Sequence, residues 1–462
     1  MKKTFKLSSV ALGIALAAGV NGLAYSQTLK EAVQQTVLTN PDVLYDANQR
    51  LANEQAVNVA RGGFFPKIDA NAGYGREGSR NATTYALRNT QVGSRFGTQY
   101  YDPSKSNDYL NLTRREAGIT LSQMLFDGFG VSSEVDRNKA RVESAAYKTA
   151  GSADVLGLKA IEVYLDVLRL REMVKLSQDN LDFHLKTQDQ IKVRSGGGVG
   201  RRSDQEQIDA RVGLAKSNLV AAQANLRDAE IQFLRVVGTK PANLTSPTAP
   251  GPDVLPKSED DAVYVAMENH PILKSAQADI KATEFQQQAA KSFLYPRLDA
   301  ELGYNNGDNF DGQPGTNDEK YAMVRMRWNL FRGLSDDARI KETGYFKVQA
   351  MEVRNRTLRQ VDEAARLSWN AMISVRERLP DLRTHAEKSR ETRESYAQQF
   401  NLGQRTLLDL LDSENELYRA RENLKTAEYL EVFARYRLLQ DTNTLLGHLE
   451  VTPPQEAIFE KN

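Results

Sequence analysis

The chain carries one structural unit twice. The stretch AVQQTVLTNPDVLYDANQRLANEQAVNVARGGFFPKIDANAGY, Ala32–Tyr74, aligns without a gap on AVYVAMENHPILKSAQADIKATEFQQQAAKSFLYPRLDAELGY, Ala262–Tyr304. Ala32, Val33, Pro41, Glu54, Ala60, Pro66, Asp69, Gly73 and Tyr74 fall on Ala262, Val263, Pro271, Glu284, Ala290, Pro296, Asp299, Gly303 and Tyr304. One offset held over that length means that whatever the first half builds, the second half builds again. The match resumes after a loop that is longer in the first half, where AGITLSQMLFDGFG (Ala117–Gly130) answers AMVRMRWNLFRGLS (Ala322–Ser335). Further on, Arg201–Ala210 answers Gln404–Ser413. The repeats are read as 27–238 and 259–447, with a linker at 239–258 and a C-terminal tail at 448–462. The linker holds Pro241, Pro247, Pro250, Pro252 and Pro256 and reads as extended chain.

Each half predicts the same order: short helix, medium helix, strand, loop, strand, very long helix, break, long helix. Pro66 and Pro296 end the medium helices and open the strands, because proline cannot continue a helix. The strands, near 66–127 and 296–332, alternate. Ala322, Val324, Met326, Trp328 and Leu330 face one way, and Met323, Arg325, Arg327 and Asn329 the other; Leu298, Ala300, Leu302 and Tyr304 likewise oppose Asp299 and Glu301. An apolar face backed by a charged one suits a membrane barrel strand between lipid and a wet lumen. Four strands cannot close such a barrel, whose smallest examples have about eight, so the chain must oligomerise. Two copies would give a filled eight-stranded barrel and three a twelve-stranded one with room for a channel; the alternation does not choose between them.

The long helices set a second dimension. Val131 to Arg194 and Ser335 to Asn401 lack proline except Pro380, and apolar residues recur at helical spacing, as at Ile161, Tyr164, Leu165 and Leu168 or at Trp369, Met372 and Ile373. Some 64 residues span roughly 96 Å, about three times a bilayer core.

Composition removes other options. MKKTFKLSSVALGIALAAGVNGLAYS, residues 1–26, has a basic start, a short apolar run and a small-residue end, and reads as a secretory signal peptide. Losing its three lysines takes the formal charge from +1 to −2, a balance that predicts no nucleic-acid partner. The absence of cysteine excludes disulfides, thiolate metal sites and cysteine nucleophiles. No later run of eighteen apolar residues is present, so a membrane would be entered only as a barrel.

The most suggestive stretch is FNLGQRTLLDLLDSENELYRA, Phe400–Ala420. Thr406 and Asp409 have the spacing of a capping box, as do Ser203 and Glu206 in the other half. Asp412 is less well explained by capping. With Glu206 and Asp209 in the positions of Asp409 and Asp412, an oligomeric tube would gather these acids around one axis, with Glu416 a turn further in. Rings of carboxylates hold cations. Arg202 and Arg405, just before each helix, would pair with acids on a neighbouring helix or else serve as solvated surface charge.

The repeat architecture and FNLGQRTLLDLLDSENELYRARENL in particular resemble the TolC family of outer-membrane efflux and secretion channels, over essentially the whole mature chain. The resemblance implies mixed α and β structure: a homotrimer whose twelve-stranded outer-membrane barrel continues into a long α-helical barrel across the periplasm, with a small equatorial domain. It implies a tunnel closed at its inner end, opened when a periplasmic adaptor and an inner-membrane transporter, of the ABC or the proton-driven RND type, dock. Carried over position by position, Arg405 and Asp204 resemble the family's gate arginine and aspartate, with Arg202 beside them, and Asp409 and Asp412 its cation-binding ring. Phe400 stands where a gate tyrosine is expected and lacks its hydroxyl. The glycine-rich turn Ser195–Asp204 resembles members serving type I secretion.

Neither a catalytic centre nor a cofactor is expected. His184, His270, His385 and His448 show no metal-ligand spacing, GGGVGRRS lacks the P-loop lysine and does not follow a strand, and NGDNFDGQPGTND lacks the bidentate glutamate of a calcium loop. A periplasmic or surface coiled-coil protein without a pore is the alternative; it would share the long helices but has no need of two-faced strands.

Overall fold

The computed structural model describes residues 26–82, 84, 109–197 and 201–459. The expected signal peptide apart from Ser26, most of the first interstrand loop, part of the glycine-rich turn and the last tail residues therefore lie outside the described residues. The order is β1 (Ser26–Gln27), α1 (Leu29–Thr39), α2 (Pro41–Arg61), β2 (Lys67–Ser79), β3 (Leu110–Phe126), α3 (Gly130–Gly196) and α4 (Arg202–Val237). Then follow β4 (Asn243–Leu244), α5 (Glu259–Asn269), α6 (Pro271–Lys291), β5 (Arg297–Asp308), β6 (Thr316–Arg327), α7 (Ser335–Asn401), α8 (Leu407–Asp441) and α9 (Leu445–His448).

The duplication is carried into the element lengths: α1 and α5 both have 11 residues, α2 and α6 both 21, α3 and α7 both 67, and α4 and α8 36 and 35. A 67-residue helix is about 100 Å long. In both copies a 3-10 turn leads from the medium helix to the proline that opens the strand, as expected from Pro66 and Pro296. None of the described helices is long and apolar enough to cross a membrane.

Two compact units divide the chain, and each draws on both repeats: Met1–Arg50, Ala145–Ser275 and Arg354–Asn462 in the first, Leu51–Ser144 and Ala276–Val353 in the second. The second holds a four-stranded antiparallel sheet in the order β2-β3-β5-β6. Ile68 pairs with Leu121, Leu121 with Leu302, and Leu302 with Ala322, so apolar residues from all four strands form one row.

In the first unit the largest core gathers Val33 and Val37 of α1, Ile161 and Tyr164 of α3, Phe233 of α4 and Leu439 of α8, all fully buried. The Tyr164 hydroxyl lies 2.8 Å from the Gln27 carbonyl and 2.7 Å from that of Thr245, its single proton serving one at a time. Ser26, at the boundary assigned to the signal peptide, forms β1 with Gln27, the two pairing in parallel with Asn243 and Leu244. The linker at 239–258 is held against the fold: β4 and the Tyr164 contact tie it down, and Arg435 donates to the Pro250 carbonyl at 2.8 Å.

One buried charge stands out. Asp154 of α3 is 3 % exposed; burial pushes its carboxyl up to about 8, a hydrogen bond with Gln440 opposes this, and the Asp441 carboxylate adds to it. Asp441, itself raised by burial, is hydrogen-bonded to Ser368. The folded chain thus keeps a proton on Asp154 between its ordinary value of 3.8 and about 8 that the unfolded chain has lost, so stability falls as pH rises through that window. The expected outcome is a melting temperature in detergent that drops from pH 5 to 8 for the native chain and flattens in Asp154→Asn; parallel slopes would show that Asp154 is ionised in the fold.

Candidate functional site

The sheet has two chemically different faces. Opposed residues of antiparallel strands share a face, so the pairings place Ile68, Ala70, Ala72 and Tyr74 with Leu121, Ile119 and Ala117, with Leu298, Ala300, Leu302 and Tyr304, and with Met326, Val324 and Ala322. Towards the loop ends of the strands this band stops at Tyr74 and Tyr304, each under a basic side chain, Arg115 at 5.9 Å and Lys320 at 5.4 Å. At the helix ends it stops at exposed rings: Phe64, Phe65, Phe293 and Tyr295. From Tyr304 to Tyr295 the chain covers roughly 30 Å, or about 23 Å of height at a tilt near 40°, the height of an outer-membrane apolar band.

The other face is polar, and its charges are paired within and across strands. Asp299, 4 % exposed, receives Arg297 at 2.9 Å and Arg327 at 2.8 Å; Arg325 meets Glu301 at 2.9 Å; Arg114 meets Glu77 at 2.7 Å and Glu116 at 2.6 Å. The alternation read from the sequence is present up to Arg327. Trp328 and Leu330 lie beyond the end of β6, a correction to the longer strand: Trp328 Nε1 instead donates to the Leu294 carbonyl at 3.3 Å.

A second constellation lies where α3 gives way to α4 and α7 to α8. Gly403, at φ 76, takes the left-handed conformation that ends α7, and Thr406 starts α8 with a complete capping box. Asp409 N–H donates to Thr406 Oγ1 at 3.2 Å and Thr406 N–H to Asp409 Oδ2 at 3.3 Å. These Thr406 bonds, with the Arg405 charge 4.0 Å away, hold the Asp409 carboxyl below its ordinary range. The matching cap on α4 is absent. Helix α4 starts at Arg202 with Arg201 as its unassisted cap, so Ser203 lies inside the first turn and cannot cap with Glu206.

All but one of the expected site residues contact other residues of their own chain. Arg405 lies 4.3 Å from the Tyr396 ring and donates to Gln399 Oε1 at 2.9 Å; Arg202 is 3.7 Å from Glu206; Asp412 faces Arg211 of α4 at 3.2 Å. Asp209 accepts from Gln188 at 2.5 Å and Gln205 at 2.9 Å, and these bonds lower its carboxyl. Glu416 meets His385 at 2.8 Å. The half-buried Asp204 carboxylate has no partner among the described residues. Phe400 is 4 % exposed, packed with Ile191, Ile208 and Leu407 and lying under the Arg194 guanidinium at 4.5 Å. Its ring belongs to the helix core, against which the half-buried Tyr396, one turn earlier, also packs.

Behind the acids the helices are joined by buried polar groups that spacing did not reveal. Asn180 of α3 donates to Glu414 Oε1 at 3.1 Å; Arg393 Nε of α7 is 3.2 Å from Glu414 Oε2 but out of line, leaving both atoms without a hydrogen bond. Burial raises the Glu414 carboxyl. His184 of α3 is 5 % exposed, and burial, with Arg211 nearby, takes its imidazole down to about 4, so it is neutral at neutral pH. Among the described residues no three His, Asp or Glu side chains gather as metal ligands.

A two-faced sheet of outer-membrane height, joined in one chain to duplicated helices about 100 Å long, defines an outer-membrane channel subunit. The family model of outer membrane efflux proteins matches residues 32–239 and 262–444, and the chain belongs to that family. It is 26% identical over 472 residues to the outer membrane protein TolC of Vibrio cholerae, covering 96% of both chains. It is 25% identical over 338 residues to the outer membrane efflux protein BepC of Brucella suis, covering 72% of this chain and 73% of that one. The CmeC outer membrane channel of Campylobacter jejuni has the same fold, with a TM-score of 0.74 at 12% identity over 90% of this chain and 86% of that one. The family consists of outer-membrane transport channels, which places this protein in the outer membrane.

The Thr406 cap has a direct consequence. Thr406→Ala removes the side chain that both starts α8 and holds Asp409, and is expected to cost about 1 kcal/mol of local stability, read as faster amide exchange at 407–410. Unchanged exchange would mean that packing of Leu407 and Leu410 alone fixes the helix start.

Proposed function

We propose that three copies of this chain close a twelve-stranded barrel and a helical tunnel, which serves as the exit duct of a tripartite efflux or type I secretion system. A periplasmic adaptor and an inner-membrane transporter, of the ABC or RND type, complete the system. The observation that carries this is the four-stranded sheet with one apolar and one polar face and partners on only one side of β2 and of β6. A pore-free rod would have no use for such a sheet. The protein acts by conducting, with no chemistry of its own.

The gate lies at the α3–α4 and α7–α8 turns. Asp204 and Arg405, with Arg202 beside them, bridge neighbouring chains there: Asp204 has no partner among the described residues, and Arg405 is held by contacts weak enough to exchange. Phe400 contributes as the buried anchor of the α7 end. Asp409, Asp412, Glu206 and Asp209 from each copy form the cation-binding entrance, attenuated because Arg405, Arg211 and Arg202 already stand against three of these acids. Exposed pairs of this kind contribute on the order of 0 to 1 kcal/mol each, so the closed end is stable yet can be opened by a docking partner.

Planar-bilayer recording tests this reading. Arg405→Ser with Asp204→Ala is expected to enlarge the resting conductance; an unchanged value would show that other contacts close the tunnel. Trivalent cations are expected to block from the periplasmic side only, with Asp409→Ala plus Asp412→Ala resisting and Arg211→Gln blocked at lower concentration. Equal block in all forms would leave Asp409 a helix cap and nothing more.

A further inference from the structure

We infer that the β5–β6 turn, through Phe310 clamped by Arg114, forms a second, size-selecting constriction at the loop end of the duct, distinct from the helix-end gate. The inference rests on the reading that the polar face of the sheet lines that duct.

Gly307 pairs with Glu116, and Glu116 with Gly73, so all three belong to the polar face, and Arg114 and Glu77 follow on it. The turn does not continue outward from β5. Asn309 and Asp311 adopt φ values of 61° and 52°, followed by Gly312 at 79°, which folds the chain back onto the sheet. The outer edge of the Phe310 ring then rests on Gly307: a β-carbon placed there would be 2.2 Å from Phe310 Cζ and 2.3 Å from Cε2. Glycine at 307 is thus the vacancy that lets an aromatic ring rest against the backbone on an otherwise charged surface.

A cation holds the ring as well. The Arg114 guanidinium stands 4.7 Å from its centroid and is itself fixed by Glu77 at 2.7 Å and Glu116 at 2.6 Å. Backbone anchors complete the clamp: Asn309 Nδ2 donates to the Thr113 carbonyl at 2.7 Å, and Asn81 Nδ2 to the Asp311 carbonyl at 2.8 Å. A loop with no role in the passage would gain nothing from carrying a phenyl ring inward over a polar wall. Repeated around an oligomer, the ring and its guanidinium narrow the opening and present a firm apolar-cationic collar to whatever passes.

The chain has no cysteine, so a single introduced thiol reports access without background. Asn305→Cys places one on the polar face, two residues inward of Gly307, and Gln313→Cys places one on the exposed turn outside the collar. Intact cells are treated with a small maleimide and with a polymer-tagged one. Gln313→Cys should react with both; Asn305→Cys should react with the small reagent and only slowly with the large one. Adding Phe310→Ala, or separately Arg114→Gln, should raise the large-reagent rate at position 305 several-fold and leave position 313 unchanged. Equal large-reagent rates at position 305 with and without these changes would overturn the collar. Failure of even the small reagent to reach position 305 in the Phe310→Ala background, with position 313 labelled, would instead overturn the lumen-facing assignment on which it rests.

Discussion

Unpaired backbone is the constraint from which the rest follows. Strands β2 and β6 each hydrogen-bond along one side only, and a bilayer offers no water to satisfy the other. Four strands cannot curl far enough to meet themselves, and in the proposed assembly the edges find other copies of the same chain. Closure by three copies, as proposed, gives twelve strands, sets the bore and obliges the helices of each chain to follow the same symmetry. The apolar band and the aromatic ends then fix the depth of the sheet, while the ion pairs of the polar face satisfy charges that could not face lipid.

The helical part works under a different balance. Around Tyr164 and Phe233 a large cluster of apolar side chains is buried, whereas the helix ends at Phe400–Asp412 combine a small apolar cluster with exposed, individually weak polar contacts. A structure held firmly in one place and loosely in another opens at the loose place first. The acids at that end are not bare charges, since Arg211, Arg405 and His385 stand against Asp412, Asp409 and Glu416. In the proposed oligomer their compensation would moderate like-charge repulsion, and it leaves Asp204 as a carboxylate without a partner among the described residues.

Much of the fold was legible because duplication and alternation are one-dimensional signals. The gapless match of Ala32–Tyr74 with Ala262–Tyr304 predicted equal helices, and α1, α2 and α3 equal α5, α6 and α7 in length. Pro66 and Pro296 marked the strand starts through a local rule. What was missed depends on contacts between distant segments. Ser203 had the right spacing to cap, but α4 begins two residues earlier than such a cap requires, with Arg201 as its N-cap. The Ser26–Asn243 pairing and the Tyr164 bond to Thr245 tie the linker down with no trace in its proline-rich composition. Arg211 sits seven residues after Asp204 outside any motif; only the packing of α4 on α8 brings it to Asp412. Phe400 read as a tyrosine lacking its hydroxyl, whereas the structure buries its ring in the helix core with Ile191, Ile208 and Leu407.

The central claim is that the sheet is completed by other copies of the chain, and it is tested most directly by the mass of the detergent-extracted particle. Native mass spectrometry of the outer-membrane fraction is expected to give a particle of three mature chains that survives detergent exchange. A stable monomer or dimer under the same conditions would leave the edges of β2 and β6 unaccounted for and would contradict the twelve-stranded closure.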